Sequence, residues 1–170
     1  DSIFTDNLSC MKELMNFVIR KGYKSYQFLG NIRDAQSFYE RFLIFRATLE
    51  DNDIELKQNL SLNGPDIESF RETFVKAVTD HGLPEVFVCA NDIMALFAIE
   101  TLEMMGIAIP DNLVFTGFDN THPSIPLIAT VNVDKELLGK RAVDQMLWRI
   151  LNPGTSYEKI LIQAEVIIRD

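Results

Sequence analysis

The chain alternates between helical and extended patterns of apolar residues along its whole length. Apolar residues that recur three and four positions apart predict helices over 8–21, 38–49, 65–78, 93–105 and 135–151. Short apolar runs predict strands at 26–31, 59–64, 86–90, 113–118 and 127–132, with one long strand over 159–170. This alternation predicts an α/β fold in which a doubly wound parallel sheet is covered by helices on both faces.

Polar side chains follow four successive strands at the point where each strand ends. They are Asn31, Asn63, the pair Asn91-Asp92, and the pair Asp119-Asn120. Ligands of doubly wound sheets bind beyond the carboxyl ends of the strands, where the strand order reverses. We therefore expect these side chains to share one rim of the sheet.

Two interpretations of this polar rim stay open from the residues alone. Asn and Asp are favoured helix caps and turn residues, so each one could have a purely local role. Amides and carboxylates on one rim would instead suit a ligand dense in hydroxyl groups, such as a sugar, a polyol or a nucleoside.

Composition narrows the class of protein. The 170 residues fit one domain of ordinary size, and a hydrophobic content of 47% is enough for a core. A formal net charge of -9 with scattered basic residues argues against nucleic-acid binding by this chain alone. The apolar runs are too short to cross a bilayer, and the first residues do not resemble a secretory signal. Two cysteines without metal-type spacing favour a reducing, intracellular compartment and suggest no metal or cofactor.

Several segments, in order, carry a resemblance to a known family. The segment LPEVFVCANDIMALFAIETLEMMGIAIPDNLVFTGFDN, followed by IPLIATVNVDKELLGKRAV, resembles the effector-binding domain of the LacI/GalR family of bacterial transcription repressors. The earlier segments DNLSCMKELMNFVIRKGYKSYQFLG and RFLIFRATL and the terminal IIRD are similar to further motifs of that family. The resemblance covers nearly the whole chain and implies a type I periplasmic-binding-protein-like fold with an effector held between two subdomains.

The resemblance also implies how the chain is divided. Residues 1–22, with the helix of 8–21, would be a remnant of the N-terminal effector subdomain, and residues 23–133 would form the C-terminal effector subdomain. The helix within 134–152 would belong to the N-terminal subdomain, and residues 153–170 would return to the C-terminal subdomain as the final strand. The DNA-binding head and most of the N-terminal subdomain would lie outside this sequence, so operator DNA would be bound only through that missing head.

Family positions imply roles for particular residues. Arg41 matches the arginine that reaches into the cleft, Asp119 matches an acceptor for ligand donors, and Asn91 matches a position that commonly contacts the effector. We expect Asp92 to cap or brace the following helix, and Asn31 and His122 are further candidates for the cleft. Val133 stands where some members use glutamine, and residues 63–65 hold no stacking aromatic, so the effector is left open as a sugar or a similar small polar molecule.

The helix of 93–105 is apolar nearly all round, and its only charges are Glu100 and Glu103. Such a helix is buried on more than one side. The family implies a homodimer through this region, with Phe97, Ile99 and Met104 as candidate contacts. Packing of the same residues within the chain is the alternative.

Two other classes of protein compete with a cytoplasmic repressor. A periplasmic or lipid-anchored sugar-binding protein of an uptake system shares the fold and stays open as the alternative. An enzyme is not expected, because His81 and His122 have no partner motif and the chain holds no GxSxG, phosphate-binding loop or metal-spaced cluster.

Overall fold

The computed structural model describes residues 1–56, 66–121 and 123–169. Within them the chain forms seven strands and five helices. In chain order these elements are β1 (Ser2–Thr5), α1 (Asn7–Arg20), β2 (Tyr26–Leu29), α2 (Gln36–Glu50), α3 (Ile67–His81), β3 (Val86–Cys89), α4 (Asp92–Met104), β4 (Val114–Thr116), β5 (Ala129–Asn132), α5 (Lys135–Leu151), β6 (Lys159–Ile162) and β7 (Glu165–Ile168). The predicted strand at 59–64 and the polar residue Asn63 lie outside the described residues.

The main sheet has five strands in the order β2-β3-β4-β5-β7. Strands β2, β3, β4 and β5 run parallel to one another, and β7 runs antiparallel to β5. Helices α1 and α2 contribute to a core cluster on one face, while α3 and α4 contribute to a second cluster on the other face. The predicted α/β architecture, with helices on both faces of a largely parallel sheet, is therefore confirmed.

The apolar strands divide their side chains between the two faces of the sheet. In β3, Val86 and Val88 belong to the cluster with α1 and α2, whereas Phe87 and Cys89 belong to the cluster with α3 and α4. All four are at most 2% exposed. A strand buried on both faces needs apolar residues at every position, which explains why these runs are continuous instead of alternating.

A second, two-stranded sheet pairs β1 with β6 in parallel. Helix α5 contacts β1, and Asp134 caps this helix by accepting a hydrogen bond from the backbone N–H of Leu137 (2.8 Å). The chain passes between the two sheets at Asp6, at Val133–Asp134 and at Gln163–Ala164. These three crossings join the two parts of the molecule.

The expectation of one long strand over 159–170 is wrong. The segment forms two strands, β6 and β7, which are separated at Gln163 and Ala164 and belong to different sheets. The segment KILIQAEVII has an unbroken β-type composition, so only the pairing partners, β1 for the first half and β5 for the second, reveal the break.

Helix α1 packs with the main sheet. Leu14, Met15 and Val18 are at most 1% exposed and share a core cluster with Phe45 of α2. The resemblance groups the helix of 8–21 with the N-terminal subdomain, and its packing differs from that grouping because α1 contacts α2, β5 and β7. In the part of the chain that is described, no helix combines the length and the hydropathy needed to span a membrane.

Candidate functional site

The carboxyl ends of β2, β3 and β4 lie side by side, because the three strands are parallel neighbours. Asn91 follows β3, and Asp119 follows β4. Arg41 of α2 reaches the same edge, where its Nη1 donates a hydrogen bond to the backbone oxygen of Ala90 (2.6 Å). We refer to Arg41, Asn91 and Asp119 as the strand-end cluster.

A close approach of two strands shapes this edge. A Cβ atom added to Gly30, which follows β2, would lie 2.4 Å from the Cβ of Ala90, which follows β3. Only glycine allows the two backbones to pass at this distance. The carbonyl of Ala90 is thereby placed where Arg41 can reach it.

Arg41 is held by protein groups around its whole guanidinium and is only 5% exposed. Besides its bond to Ala90, Nε donates to Oδ1 of Asn7 (3.0 Å), and Nη2 lies 3.5 Å from Oδ1 of Asp119. The guanidinium carbon sits 3.5 Å from the ring centroid of Phe118. Burial lowers the pKa of Arg41 to about 10, against the attraction of Asp119, so the guanidinium stays charged at neutral pH.

Asp119 is the more accessible partner of this ion pair, with 28% of its side chain exposed. Its backbone has a φ of 87°, in the left-handed region, and its N–H donates to the backbone oxygen of Val131 (2.8 Å). Burial raises the pKa of Asp119, while Arg41 and Lys135 act in the opposite direction. A partly exposed carboxylate of this kind accepts hydrogen bonds from ligand hydroxyl or N–H groups.

The capping role expected of Asp92 is filled by Asn91. Asn91 is the N-cap of α4, and its Oδ1 accepts a hydrogen bond from the backbone N–H of Met94 (3.0 Å). Its amide nitrogen bonds no other described residue and stays available as a donor. Asp92 does not cap the helix; it is fully buried, and its oxygens accept from Thr130 and Thr121.

Asn31, a further cleft candidate, does not join the cluster. Asn31 is used locally, since its Nδ2 donates to Asp34 (2.7 Å) and its Oδ1 accepts from the N–H of Arg33 (3.0 Å). His122 lies outside the described residues.

Sequence reasoning missed Asn7, which supports the cluster from α1. It is 6% exposed, and besides accepting from Arg41 it donates through Nδ2 to Oε2 of Glu40 (2.9 Å). The only signal in the sequence is a polar residue at the buried start of an amphipathic helix, directly after the N-cap Asp6. That position looks like ordinary capping until the neighbouring helix is known.

Two of the three candidate dimer contacts are buried inside the chain. Phe97 is 5% exposed and packs edge-on against Phe70 at a centroid distance of 4.9 Å. Ile99 is 8% exposed and belongs to the same core cluster. For Phe97 and Ile99 this favours the alternative of packing within the chain, because α4 turns them towards α3 and the sheet, whereas Met104 is 73% exposed.

A stability prediction follows from the environment of Asp119. Asparagine at this position keeps the shape and tolerates left-handed backbone. Because burial raises the pKa of Asp119 despite the attraction of Arg41, removing the charge gains more than the loss of that attraction costs. Asp119→Asn is therefore expected to raise the free energy of unfolding at pH 7 by up to about 1 kcal/mol. The raised folded-state pKa means that the stabilising contribution of the wild-type carboxyl is full below its unfolded pKa, about 4, and is lost as the pH rises through the folded value.

Urea unfolding of the wild type and of Asp119→Asn between pH 3 and pH 8 checks this. The difference in the free energy of unfolding between the two proteins should increase as the pH rises. Asp111→Asn, at an exposed turn position, should have the stability of the wild type at every pH. A wild type that is more stable than Asp119→Asn at pH 7 would contradict the prediction.

The chemistry available at the strand-end cluster is that of hydrogen bonding. The charge of Arg41 is matched by that of Asp119, and the donor of Asn91 adds a neutral group. Among the described residues, no group of three or more His, Cys, Asp and Glu is arranged to hold a metal ion.

Comparisons with a family model and with curated proteins point to the same family. The family described as "Periplasmic binding protein-like domain" matches residues 15–170. Among curated proteins, the chain is 27% identical over 157 residues to the HTH-type transcriptional repressor PurR of Histophilus somni (strain 129Pt), covering 90% of this chain and 47% of that protein. It is 25% identical over 173 residues to the probable HTH-type transcriptional repressor ExuR of Bacillus subtilis (strain 168), covering 99% of this chain and 52% of that protein.

Solved structures of transcription regulators share the fold. A complex of the transcriptional regulator CelR with cellobiose superimposes with a TM-score of 0.82 at 20% identity, covering 98% of this chain and 52% of that one. The Lac repressor bound to ONPG in the repressed state gives a TM-score of 0.80 at 19% identity, covering 98% of this chain and 51% of that one. The chain thus spans about half the length of the relatives that it matches.

Proposed function

Because this chain belongs to the periplasmic-binding-protein-like domain family, we propose that it is the effector-sensing part of a LacI-type bacterial transcription regulator. The curated relatives are HTH-type repressors, not enzymes, and they do not favour the alternative of a sugar carrier. In this proposal the protein acts in the cytoplasm and binds operator DNA through a separate head.

The observation that carries the proposal is the strand-end cluster itself. Three polar side chains from separate parts of the sequence meet at the carboxyl ends of adjacent parallel strands, the usual ligand position in such sheets. Asp119 offers an acceptor and the Asn91 amide nitrogen a donor that no other described residue uses, with Arg41 fixed behind them. Local capping explains Asn91 alone, but it does not explain a buried arginine aimed at Asp119.

We assign the two sheets to two effector subdomains. The main sheet with α1 to α4 would be the C-terminal subdomain, and β1, β6 and α5 would belong to the N-terminal subdomain. Asn7, which holds Arg41, comes directly after the crossing at Asp6, and Asn132 comes directly before the crossing at Val133–Asp134. An effector that contacts both subdomains would favour one closure state and thereby change the spacing of the DNA-binding heads. It would do so only through a difference in its affinity for the two states.

The charge balance of the cluster favours a neutral effector. The positive charge of Arg41 is paired with Asp119, and the buried carboxylate of Asp92 adds a second negative charge that acts on Asp119. A phosphate or a carboxylate on the effector would therefore meet Asp119 without an unpaired cation in the cluster. A neutral sugar, polyol, nucleoside or nucleobase would supply the donors that Asp119 needs.

A thermal-shift screen on the full-length regulator tests the proposed function. Neutral sugars, polyols, nucleosides and nucleobases are compared with their phosphorylated and carboxylated counterparts. We expect a neutral compound to raise the melting temperature, since a ligand at one hundred times its Kd stabilises the native state by about 2.7 kcal/mol. Stabilisation by anionic compounds alone would contradict the proposed chemistry, and no stabilisation by any class would contradict effector sensing.

We further propose that the regulator forms a homodimer through the exposed face of α4. Ile93, Leu96, Glu100 and Met104 follow one another at helical spacing along this face, and Ile93 and Met104 are 51% and 73% exposed. Apolar side chains clustered on one surface favour contact with a partner.

Reversing the polarity of this face should weaken the dimer. The double variant Ile93→Glu with Met104→Glu is expected to raise the dimer dissociation constant by at least about tenfold, because it places like charges across a twofold axis and removes apolar contact. Sedimentation equilibrium of the full-length protein measures the change. Ile168→Glu, at a 48% exposed residue of β7 in the main sheet, is the matched control. Equal dimerisation of the double variant and the control would exclude α4 as the interface.

A further inference from the structure

Asp92 is a buried carboxylate that the proposed effector site does not use directly. It is 0% exposed, and it forms no ion pair with a described residue. Its Oδ1 accepts a hydrogen bond from the hydroxyl of Thr130 (2.7 Å), and its Oδ2 accepts from the backbone N–H of Thr121 (2.6 Å). A charge buried without a cation is costly, so the position calls for an explanation.

Hydrogen bonds of Asp92 anchor both ends of the turn formed by residues 118–121. Its backbone N–H donates to the carbonyl of Phe118 (3.0 Å), directly before Asp119, and its carboxylate holds the N–H of Thr121, directly after Asn120. The two residues between these anchors have left-handed φ values of 87° for Asp119 and 47° for Asn120. Such backbone persists in non-glycine residues only where the surroundings over-determine it.

Packing keeps the carboxylate in this position. A Cβ atom on Gly117, at the start of the turn, would lie 2.1 Å from Oδ1 of Asp92 and 2.7 Å from Cδ1 of Leu127. The carboxylate therefore fills the space above the glycine and has no room to move towards the backbone. Hydrogen bonds and packing together fix one arrangement of the turn.

We propose that Asp92 is a positioning residue, whose carboxylate holds the Phe118–Thr121 turn so that Asp119 projects beside Arg41 into the effector site. The proposal deepens the proposed function and rests on it for the use of Asp119 as an effector contact. The geometry of the turn itself can be tested without any effector, so that failure of one claim is distinguishable from failure of the other.

Asp92→Asn in this chain tests the positioning role by NMR. The variant keeps the size of the side chain but replaces one acceptor oxygen by a donor, which opposes the N–H of Thr121 if it faces it. We expect hydrogen exchange of the Thr121 amide to accelerate by about tenfold or more, while the amide of Val88 in β3 keeps its exchange rate.

Variants of Thr130 keep the test decisive if Asp92→Asn does not fold. Thr130→Val removes one anchor of the Asp92 carboxylate and should accelerate exchange at Thr121, whereas Thr130→Ser retains the hydroxyl and should restore the wild-type rate. Unchanged exchange at Thr121 in both Asp92→Asn and Thr130→Val would overturn the proposal. A uniform acceleration at Thr121 and Val88 would also overturn it, since it would indicate a general loss of stability.

Discussion

Replacing Arg41 by alanine is expected to lower the free energy of unfolding by about 3 kcal/mol, the lower end of the range for breaking a buried ion pair. The change leaves the carboxylate of Asp119 without its cation and the carbonyl of Ala90 without its donor. It also removes the guanidinium from the ring of Phe118. The remaining carboxylate should show a higher pKa than in the wild type, because the attraction of Arg41 is lost while much of its burial remains.

Urea denaturation at pH 7 measures this loss, and Arg46→Ala supplies the control on the same helix. Arg46 forms an exposed ion pair with Glu50 four residues later, and such pairs contribute only about 0.3 to 0.5 kcal/mol. A loss for Arg41→Ala as small as that for Arg46→Ala would show that the buried contacts of Arg41 contribute little. In that case the cluster would not be the rigid wall that effector binding requires.

Replacing Gly117 by alanine is expected to destabilise the fold by about 3 kcal/mol, at the upper end for overpacking. The added methyl would lie 2.1 Å from the carboxylate of Asp92, and it could be accommodated only if that carboxylate or the turn moved. We therefore also expect Asp119 to lose its place beside Arg41. Thermal and urea unfolding give the stability, and the exchange rate of the Thr121 amide reports on the turn.

Gly139→Ala is the matched control for the change at Gly117. Gly139 lies within α5, and a Cβ atom there would meet nothing within 4 Å. Alanine at this helical position should raise the free energy of unfolding by about 0.5 to 1 kcal/mol relative to glycine. If both substitutions had the same sign, the crowding around Asp92 would not be a determinant of stability.

The sequence predicts the order of elements well, since periodicity depends on local burial. Continuous apolar runs such as VFVCA mark strands covered on both faces, and stripes such as that of α1 mark helices that cover the sheet. The break at Gln163–Ala164 could not be predicted, because it depends on two distant partners, β1 and β5, in different sheets.

Strand topology predicts which residues share the edge of the sheet, but it does not predict the role of each one. That the residues after β3 and β4 share an edge follows from parallel pairing, and Arg41 came from the family resemblance. The division of roles between Asn91 and Asp92 could not be read from the sequence, because both residue types cap helices equally well. The buried carboxylate of Asp92 accepts hydrogen bonds from an N–H and a hydroxyl of residues about thirty to forty positions away, which local sequence does not reveal.

The helix α4 shows a second limit of sequence reasoning. Its apolar residues surround the helix, so no stripe indicates which side faces the sheet. Phe97 and Ile99 proved to be buried, and the exposed face runs through Ile93 and Met104. Contacts with α3, such as that between Phe70 and Phe97, decide the orientation.

Isothermal titration calorimetry on the full-length regulator, with the neutral compound that stabilises it most, tests the central claim that the strand-end cluster binds the effector. We expect Asp119→Asn to weaken binding by about tenfold or more, because a charge-assisted hydrogen bond contributes roughly 1.5 to 3 kcal/mol. Asp111→Asn should bind as the wild type does. Since Asp119→Asn is expected to leave the fold at least as stable as the wild type, weaker binding could not be attributed to unfolding. Equal affinity of all three proteins would contradict the account.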